Sequence, residues 1–130
     1  MISFTTFSES DFEEICAYHK KSFEKNSYQS NPDYLNWLYV SNPHRPIETM
    51  GWLARDAEQK IVGCIHVMYL PAKYQGRKLV VHSLQNLTVD EDLRSGAGLI
   101  LVKRALRKSD IAIFPGVFNQ LEQTYRALNY

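Results

Sequence analysis

A β-prone segment runs into a helical one in Leu87-Thr88-Val89-Asp90-Glu91-Asp92-Leu93-Arg94-Ser95-Gly96-Ala97-Gly98-Leu99. Glycines occupy alternate positions of the turn, and the helical segment carries apolar residues on one face, at Leu99, Val102 and Leu106. Glycine lets a backbone approach a ligand closely, and the first N–H groups of a helix have no acceptor within the helix. Because the helix dipole also favours negative charge there, the turn predicts an anion site that suits a pyrophosphate.

Length and composition indicate one globular domain. The chain has 130 residues and a formal charge of +1, which is too balanced to predict a nucleic-acid surface. No segment is long and apolar enough for a membrane span, and the start of the chain does not match a secretory signal. The two cysteines, Cys16 and Cys64, are typical of buried thiols in a reducing compartment, so we expect a cytoplasmic protein.

The histidines give no metal-binding pattern. They are His19, His44, His66 and His82. Since they are scattered and lack the paired spacing of zinc ligands, we predict no metal.

The order of predicted elements gives a fold class. Periodicity and turn residues predict the order β, α, α, β, β, β, α, β, α. The predicted bounds are a strand at 2–7, a helix ending near Glu24, a helix after Asn31-Pro32, strands at Gly51–Arg55 and 61–70, a polar connection at 71–78, a strand at 79–89 with a bulge at Gln85-Asn86, the helix after Gly96, a strand at 111–114 and a last helix with Tyr125. This order indicates an α+β domain of three layers, α/β/α, with a mixed and mainly antiparallel sheet. Because the order stops on a helix, we expect residues 1–130 to be one domain of a truncated or larger protein.

The element order and residues 83–98 resemble the GNAT, or Gcn5-related, N-acetyltransferases, whose signature runs from the fourth strand through an arginine- and glycine-rich turn into the third helix. The resemblance implies that the turn's amides hold the pyrophosphate of acetyl-CoA and that the preceding strand edge binds its pantetheine arm. The implied cofactor-binding residues are Leu87, Thr88, Val89, Arg94, Ser95, Gly96, Ala97, Gly98 and Leu99. A tyrosine on the last helix faces the CoA sulfur in that family, and Tyr125-Arg126-Ala127-Leu128-Asn129-Tyr130 is similar to that ending.

The sequence departs from the family pattern at several positions. The turn is one residue shorter than usual, and Glu91 stands where proline is common. Gln85 lies where many members carry a glutamate base, and Asn129 replaces a glycine. A narrower similarity, to members associated with surface polysaccharides, favours an amino sugar as acceptor. It is carried by Trp37-Leu38-Tyr39, Asn42-Pro43 and Phe114-Pro115.

Acetyl transfer to an amine needs a neutral nucleophile, an oxyanion donor and a proton for the leaving thiolate. Tyr125 is the candidate proton donor, with a core tyrosine as the structural alternative. His82 and Gln85 are the candidates for the base by their strand positions, although only His82 can take a proton, and a strand histidine is more often structural. A backbone N–H freed by the bulge near Leu87 is the candidate oxyanion donor.

We therefore expect an N-acetyltransferase that uses acetyl-CoA, without a metal, to modify a small-molecule amine. Neither a nucleic acid nor a membrane is an expected partner. The alternative is a non-catalytic domain that binds CoA or a protein partner. The aromatic residues Tyr28, Tyr34, Trp37 and Tyr39 are candidates for the acceptor pocket, and an exposed sheet edge would allow a homodimer.

Overall fold

The computed structural model describes residues 1–24, 26–43, 50–93, 96–116, 119–127 and 129. In these ranges, five strands and four α-helices follow one another in the predicted order. They are β1 (Ser3–Thr6), α1 (Phe12–His19), α2 (Pro32–Tyr39), β2 (Gly51–Arg55), β3 (Ile61–Tyr74), β4 (Arg77–Val89), α3 (Ala97–Ala105), β5 (Ile111–Ile113) and α4 (Asn119–Ala127). No helix in these described ranges is both long and apolar enough to cross a membrane.

The strands form one sheet in the order β1-β2-β3-β4-β5. All neighbouring strands are antiparallel except β4 and β5, which are parallel and are connected along the chain by α3. The sheet separates two hydrophobic clusters, so the predicted three-layer α/β/α architecture with a mixed sheet is confirmed.

The two clusters are named here by their helices. The α1–α2 cluster comprises Phe7, Phe12, Ile15, Cys16, Tyr18, Leu35, Leu38, Tyr39, Leu53, Ile61 and Cys64. The α3 cluster comprises Ala54, Val62, Ile65, Val67, Leu84, Leu101, Val102, Ala105, Leu106 and Tyr125.

The predicted bulge in β4 is confirmed. Cys64 pairs with Thr88 and His66 pairs with Gln85, so three residues of β4 span the distance that two residues of β3 span. Asn86, inside this bulge, has φ of 52°. An unpaired residue and a sharper twist follow from such a bulge, which turns the end of β4 relative to its start.

β4 and β5 separate after a short parallel ladder. Only Val81, His82 and Ser83 pair with β5, opposite Ile111, Ala112 and Ile113. In the part of the chain that the structure describes, residues 84–89 of β4 therefore have no strand partner on the β5 side.

The predicted connection at 71–78 is wrong, because β3 and β4 form a long hairpin there. Tyr74 pairs with Arg77, and the two turn residues Gln75 and Gly76 have φ of 47° and 80°. Positive φ at both positions is the backbone of a type I′ turn, which matches the twist of antiparallel strands.

The first helix is shorter than predicted. It ends at His19 instead of near Glu24, and residues 20–23 continue as turns. The N–H groups of Lys21 and Ser22 bond three residues back, to Tyr18 and His19. This tighter pattern commonly ends an α-helix. The start of α2 is as predicted, since the Asn31 side chain accepts from the Asp33 N–H and Pro32 begins the helix.

Candidate functional site

The turn before α3 places a helix N-terminus beside the end of β4. Gly96 is the N-cap residue of α3, and no side chain of the described residues caps it. The N–H groups of Ala97 and Gly98 lie in the first turn, where a helix supplies no acceptor for its own donors. This arrangement suits an anion. Arg94 and Ser95, also predicted to bind the cofactor, lie outside the described residues.

Among the described residues, neither backbone conformation nor packing requires a glycine at Gly96 or Gly98. Gly96 has φ of −111°, and a Cβ added there would meet nothing within 4 Å. A Cβ on Gly98 would make only an ordinary contact, 3.5 Å from the Val89 side chain. Among the described residues, the space beside Gly96 is therefore open, which leaves room for a ligand to approach the backbone.

The predicted pantetheine strand lies next to this helix end. Leu87 and Val89 are partly buried and pack against the α3 cluster, whereas Thr88 is buried and donates its hydroxyl to the Asn86 carbonyl at 3.2 Å. Gly98 and Leu99 belong to the first turns of α3, so Leu87, Thr88, Val89, Gly96, Ala97, Gly98 and Leu99 lie on two adjoining elements. The structure thus brings together the described members of the predicted cofactor set.

Tyr125 lies on α4 and is buried within the α3 cluster. Its ring packs on Phe114, with ring centroids 3.9 Å apart. Burial raises the pKa of the Tyr125 hydroxyl above its ordinary value. The hydroxyl is protonated at neutral pH, as a tyrosine ordinarily is, and burial makes it a weaker acid.

His82 and Gln85 lie on opposite faces of the sheet. The Nδ1–H of His82 donates to the Ala105 carbonyl of α3 at 2.8 Å, and the ring packs on Tyr69. Gln85 instead points to the α1–α2 side, with its amide nitrogen 3.5 Å from the Ser83 hydroxyl and 4.0 Å from the Met68 sulfur. His82 therefore lies in the α3 layer, and the two candidate bases cannot act at one site together.

Sequence reasoning missed two contacts made by α1. The Tyr18 hydroxyl donates to the Asp90 carboxylate at 3.0 Å, which ties α1 to the chain immediately after β4. At the end of α1, His19 lies against Cys64 and His66 of β3, all three buried. The sequence signal for the second contact was the alternation of Cys64 and His66, which places both on one face of a strand.

The mixed sheet, the separation of β4 from β5 and the glycine turn into α3 together define a GNAT fold, as the sequence resemblance predicted. Solved structures of acetyltransferases and of an N-myristoyltransferase superpose on the chain. An acetyltransferase from Trypanosoma brucei matches with a TM-score of 0.74 at 14% identity, over 100% of this chain and 92% of its own. Glucosamine-6-phosphate N-acetyltransferase from Arabidopsis thaliana matches with a TM-score of 0.72 at 12% identity, over 100% of this chain and 91% of its own.

A third structure with this fold contains a bound acyl-CoA. It is the N-myristoyltransferase of Saccharomyces cerevisiae with myristoyl-CoA, which matches with a TM-score of 0.67 at 20% identity, over 90% of this chain and 31% of its own. By sequence, no protein-family profile and no curated protein matches at a significant level. At these identities the similarity establishes the fold.

Proposed function

We propose that the protein is a GNAT-type N-acyltransferase that moves an acetyl group from acetyl-CoA to a primary amine of a small molecule. The observation that carries this proposal is the Gly96 turn. The N-terminus of α3, with open space beside Gly96, adjoins the part of β4 that does not pair with β5. The helix N–H groups can bind an anion, and the neighbouring strand edge can hydrogen-bond the amides of an extended ligand.

The residues present fit an acyl-CoA. The N–H groups of Ala97 and Gly98 would bind the pyrophosphate, since they lie in the first turn of α3. Residues 87–89 would hydrogen-bond the pantetheine amides, as an added strand does along a sheet edge. Bound in this way, acetyl-CoA supplies an activated thioester.

Two groups of this chain would act on the charges that develop during transfer. One proton must leave the acceptor nitrogen, and one must reach the departing sulfur. Tyr125 would donate the second proton, since a tyrosine hydroxyl is protonated at neutral pH. The backbone N–H near Leu87, next to the bulge, would donate to the carbonyl oxygen as it becomes negative.

His82 lies on the α3 face of the sheet, where its Nδ1–H donates to the Ala105 carbonyl, so we assign the contact with the acceptor amine to Gln85 on the opposite face. Gln85 lies in the diverging part of β4 and is half-buried. Its carboxamide oxygen would accept a hydrogen bond from the acceptor amine or from a water that removes the proton. A carboxamide cannot itself take that proton, so we expect turnover to rise with the fraction of neutral amine.

An amino sugar is the acceptor class that we favour. Three aromatic rings form a row on the surface before and along α2: Tyr28 and Tyr34 have ring centroids 4.9 Å apart, and those of Tyr34 and Trp37 are 5.9 Å apart. Tyr28 and Trp37 are more than half exposed, whereas Tyr39 is buried in the core. A contiguous exposed aromatic surface is typical of a binding site, and sugar rings pack on such surfaces through their C–H faces.

The experiment is to measure acetyl-CoA binding and thiol release separately. Ligand at about 100 times its Kd should raise the free energy of unfolding by about 2.7 kcal/mol, seen as a higher Tm. Thiol release over a panel of amino sugars, polyamines and amino acids then tests catalysis and the acceptor class. Binding without release from any amine would support a non-catalytic CoA-binding domain, which the amide at Gln85 favours. No binding would contradict both functions.

A further inference from the structure

Three ligating side chains meet in the core between α1 and β3. His19, the last residue of α1, lies against Cys64 and His66 of β3, and their candidate ligand atoms are all within 4.8 Å of one another. Each of the three is at most 1% exposed. This His19–Cys64–His66 cluster lies in the α1–α2 layer and is separate from the proposed acyl-CoA site.

The fold explains why these residues meet. Cys64 and His66 are two apart on β3, so their side chains project from the same face of the sheet. α1 packs on that face, and its end brings His19 over the strand, with the two imidazole centroids 5.1 Å apart. The cluster therefore combines one local pair with one residue that only the tertiary fold can supply.

The hydrogen bonds of the two histidines leave the same atom of each unused. The Nδ1–H of His19 donates to the Gln29 carbonyl at 2.8 Å, and Nδ1 of His66 bonds the Tyr39 hydroxyl at 3.1 Å. Both Nε2 atoms are buried, and neither has a hydrogen-bond partner among the described residues. Two unsatisfied polar atoms in one core site are costly, so their side-by-side placement calls for a ligand.

We propose that Nε2 of His19, Nε2 of His66 and Sγ of Cys64 bind one Zn²⁺ ion. Imidazole nitrogen and thiolate sulfur are preferred ligands of zinc. The hydrogen bonds at Nδ1 are those that metal-binding histidines use to fix their tautomer and ring orientation. Zinc is the ion because it is redox-inert and borderline-soft, which suits a mixed nitrogen and sulfur set.

The distances allow binding after a small contraction. Zinc lies about 2.0–2.1 Å from nitrogen and about 2.3 Å from sulfur, so tetrahedral ligand atoms are about 3.3–3.6 Å apart. One nitrogen of each imidazole and Sγ of Cys64 lie within 4.8 Å of one another, so contraction to zinc distances requires side-chain movements of about 1 Å. On binding, the Cys64 thiol loses its proton to solvent, and the metal–thiolate pair carries one positive charge.

The protonation states of the cluster agree with this role. Burial lowers the pKa of His19 and, more strongly, of His66, where His19 adds to the effect, so both imidazoles are neutral and offer lone pairs at neutral pH. Burial raises the pKa of the Cys64 thiol. Zinc must therefore displace a proton, and its affinity should increase with pH.

The test uses Co²⁺ as a spectroscopic substitute for zinc. The purified chain, reduced and stripped of metal by a chelator, is titrated with Co²⁺ and then with Zn²⁺. We expect a thiolate-to-cobalt charge-transfer band that saturates at one equivalent, is displaced by Zn²⁺ and is accompanied by a rise in Tm. No band and no change in Tm with a folded wild-type protein would overturn the proposal, whatever the variants do.

Two cysteine variants form a matched pair. Cys16 is also buried and free but lies outside the cluster, so Cys16→Ser should keep the band whereas Cys64→Ser should lose it. A band that survives in Cys64→Ser or disappears in Cys16→Ser would contradict the assignment of the sulfur ligand.

Tyr39→Phe tests whether His66 binds the metal, without removing a ligand. It deletes only the hydroxyl that bonds His66 Nδ1, so we expect the band to remain and Co²⁺ affinity to fall about 10–100-fold. An unchanged affinity would contradict ligation by His66 Nε2.

Discussion

The Tyr125 ring packs in the core, and its hydroxyl is the candidate proton donor. Tyr125→Phe removes the hydroxyl and keeps the ring, so it distinguishes these two roles. The variant keeps the ring on Phe114 and the packing of the α3 cluster. If the hydroxyl protonates the leaving thiolate, turnover should fall about 10²–10⁴-fold, the usual contribution of a positioned general acid. Acetyl-CoA affinity and Tm should change little. Steady-state kinetics with calorimetric binding measure both quantities.

Two outcomes would contradict the role of Tyr125 as a proton donor. Unchanged turnover in a folded Tyr125→Phe protein would make Tyr125 a core residue only. Loss of Tm together with turnover would likewise point to packing, because the deleted atom would then matter to the fold.

Among single residues, the predictions from the sequence differ most from the structure for the histidines. His19 and His66 are 47 positions apart, and only the packing of α1 on β3 makes them neighbours. His82 and Gln85 looked equivalent as candidate bases, because the bulge and the pleat that separate their faces cannot be assigned from residue types alone. Both cysteines, by contrast, were correctly predicted as buried free thiols, since burial follows from the segments that hold them.

The N-terminus of α3 is the element on which anion binding depends, and substitutions at Gly96 can separate binding from folding. Asp and Asn are both favoured N-cap residues, and a side chain at this position meets open space. Gly96→Asp and Gly96→Asn should thus leave Tm equal or slightly higher. Asp alone places a negative charge where the pyrophosphate would bind. We expect acetyl-CoA affinity to fall about 10–100-fold more for Asp than for Asn, since charged hydrogen bonds contribute about 1.5–3 kcal/mol.

Wild-type affinity in both the Asp and the Asn variant would mean that the anion lies elsewhere. Weakening in both to the same extent would indicate that a side chain of any charge blocks the approach. Calorimetric titration with acetyl-CoA distinguishes these results, with the Tm of each variant as the check on folding.

Elements were easier to predict than their ends. In the described part of the chain, the type and order of the five strands and four α-helices followed from periodicity and turn residues, as did the cap at Asn31. The β3–β4 hairpin was missed because Pro71 suggested a break. The N–H of Val67 points to the β2 side, and position 71, four residues further along, points the same way, beyond the end of β2. No ladder bond is lost there, so proline is tolerated within the strand.

The overall architecture was easier to predict than the single residues or the ends of the elements. An order of β, α, α, β, β, β, α, β, α with one crossover leaves few ways to cover both faces of a sheet, and the three-layer fold is one of them. The short ladder between β4 and β5 was not predictable, because strand separation depends on twist and on a bulge whose angle no residue type specifies. The homodimer remains a prediction, with the edge strand β5 as its candidate surface.

Stability of the whole molecule should depend on pH through the two buried histidines. In the metal-free protein, burial lowers the pKa of His19 and His66 below the value of about 6.5 that an unfolded chain has. Between that value and their folded pKa values, the unfolded state binds more protons than the folded state. The free energy of unfolding therefore falls as pH decreases below about 6.5 and is insensitive to these groups above it. Cys64 and Tyr39 stay protonated throughout, because burial raises both pKa values.

Each histidine can contribute a slope of up to about 1.4 kcal/mol per pH unit in this window. Urea unfolding in the presence of a chelator, at several values between about pH 7.5 and about pH 5.5, measures the slope. The double variant His19→Gln/His66→Gln should show a shallower slope even if it is less stable at every pH, because it lacks the two proton-binding groups while all others remain. Parallel slopes for the two proteins would mean that the imidazoles bind protons in the folded core as readily as in the unfolded chain.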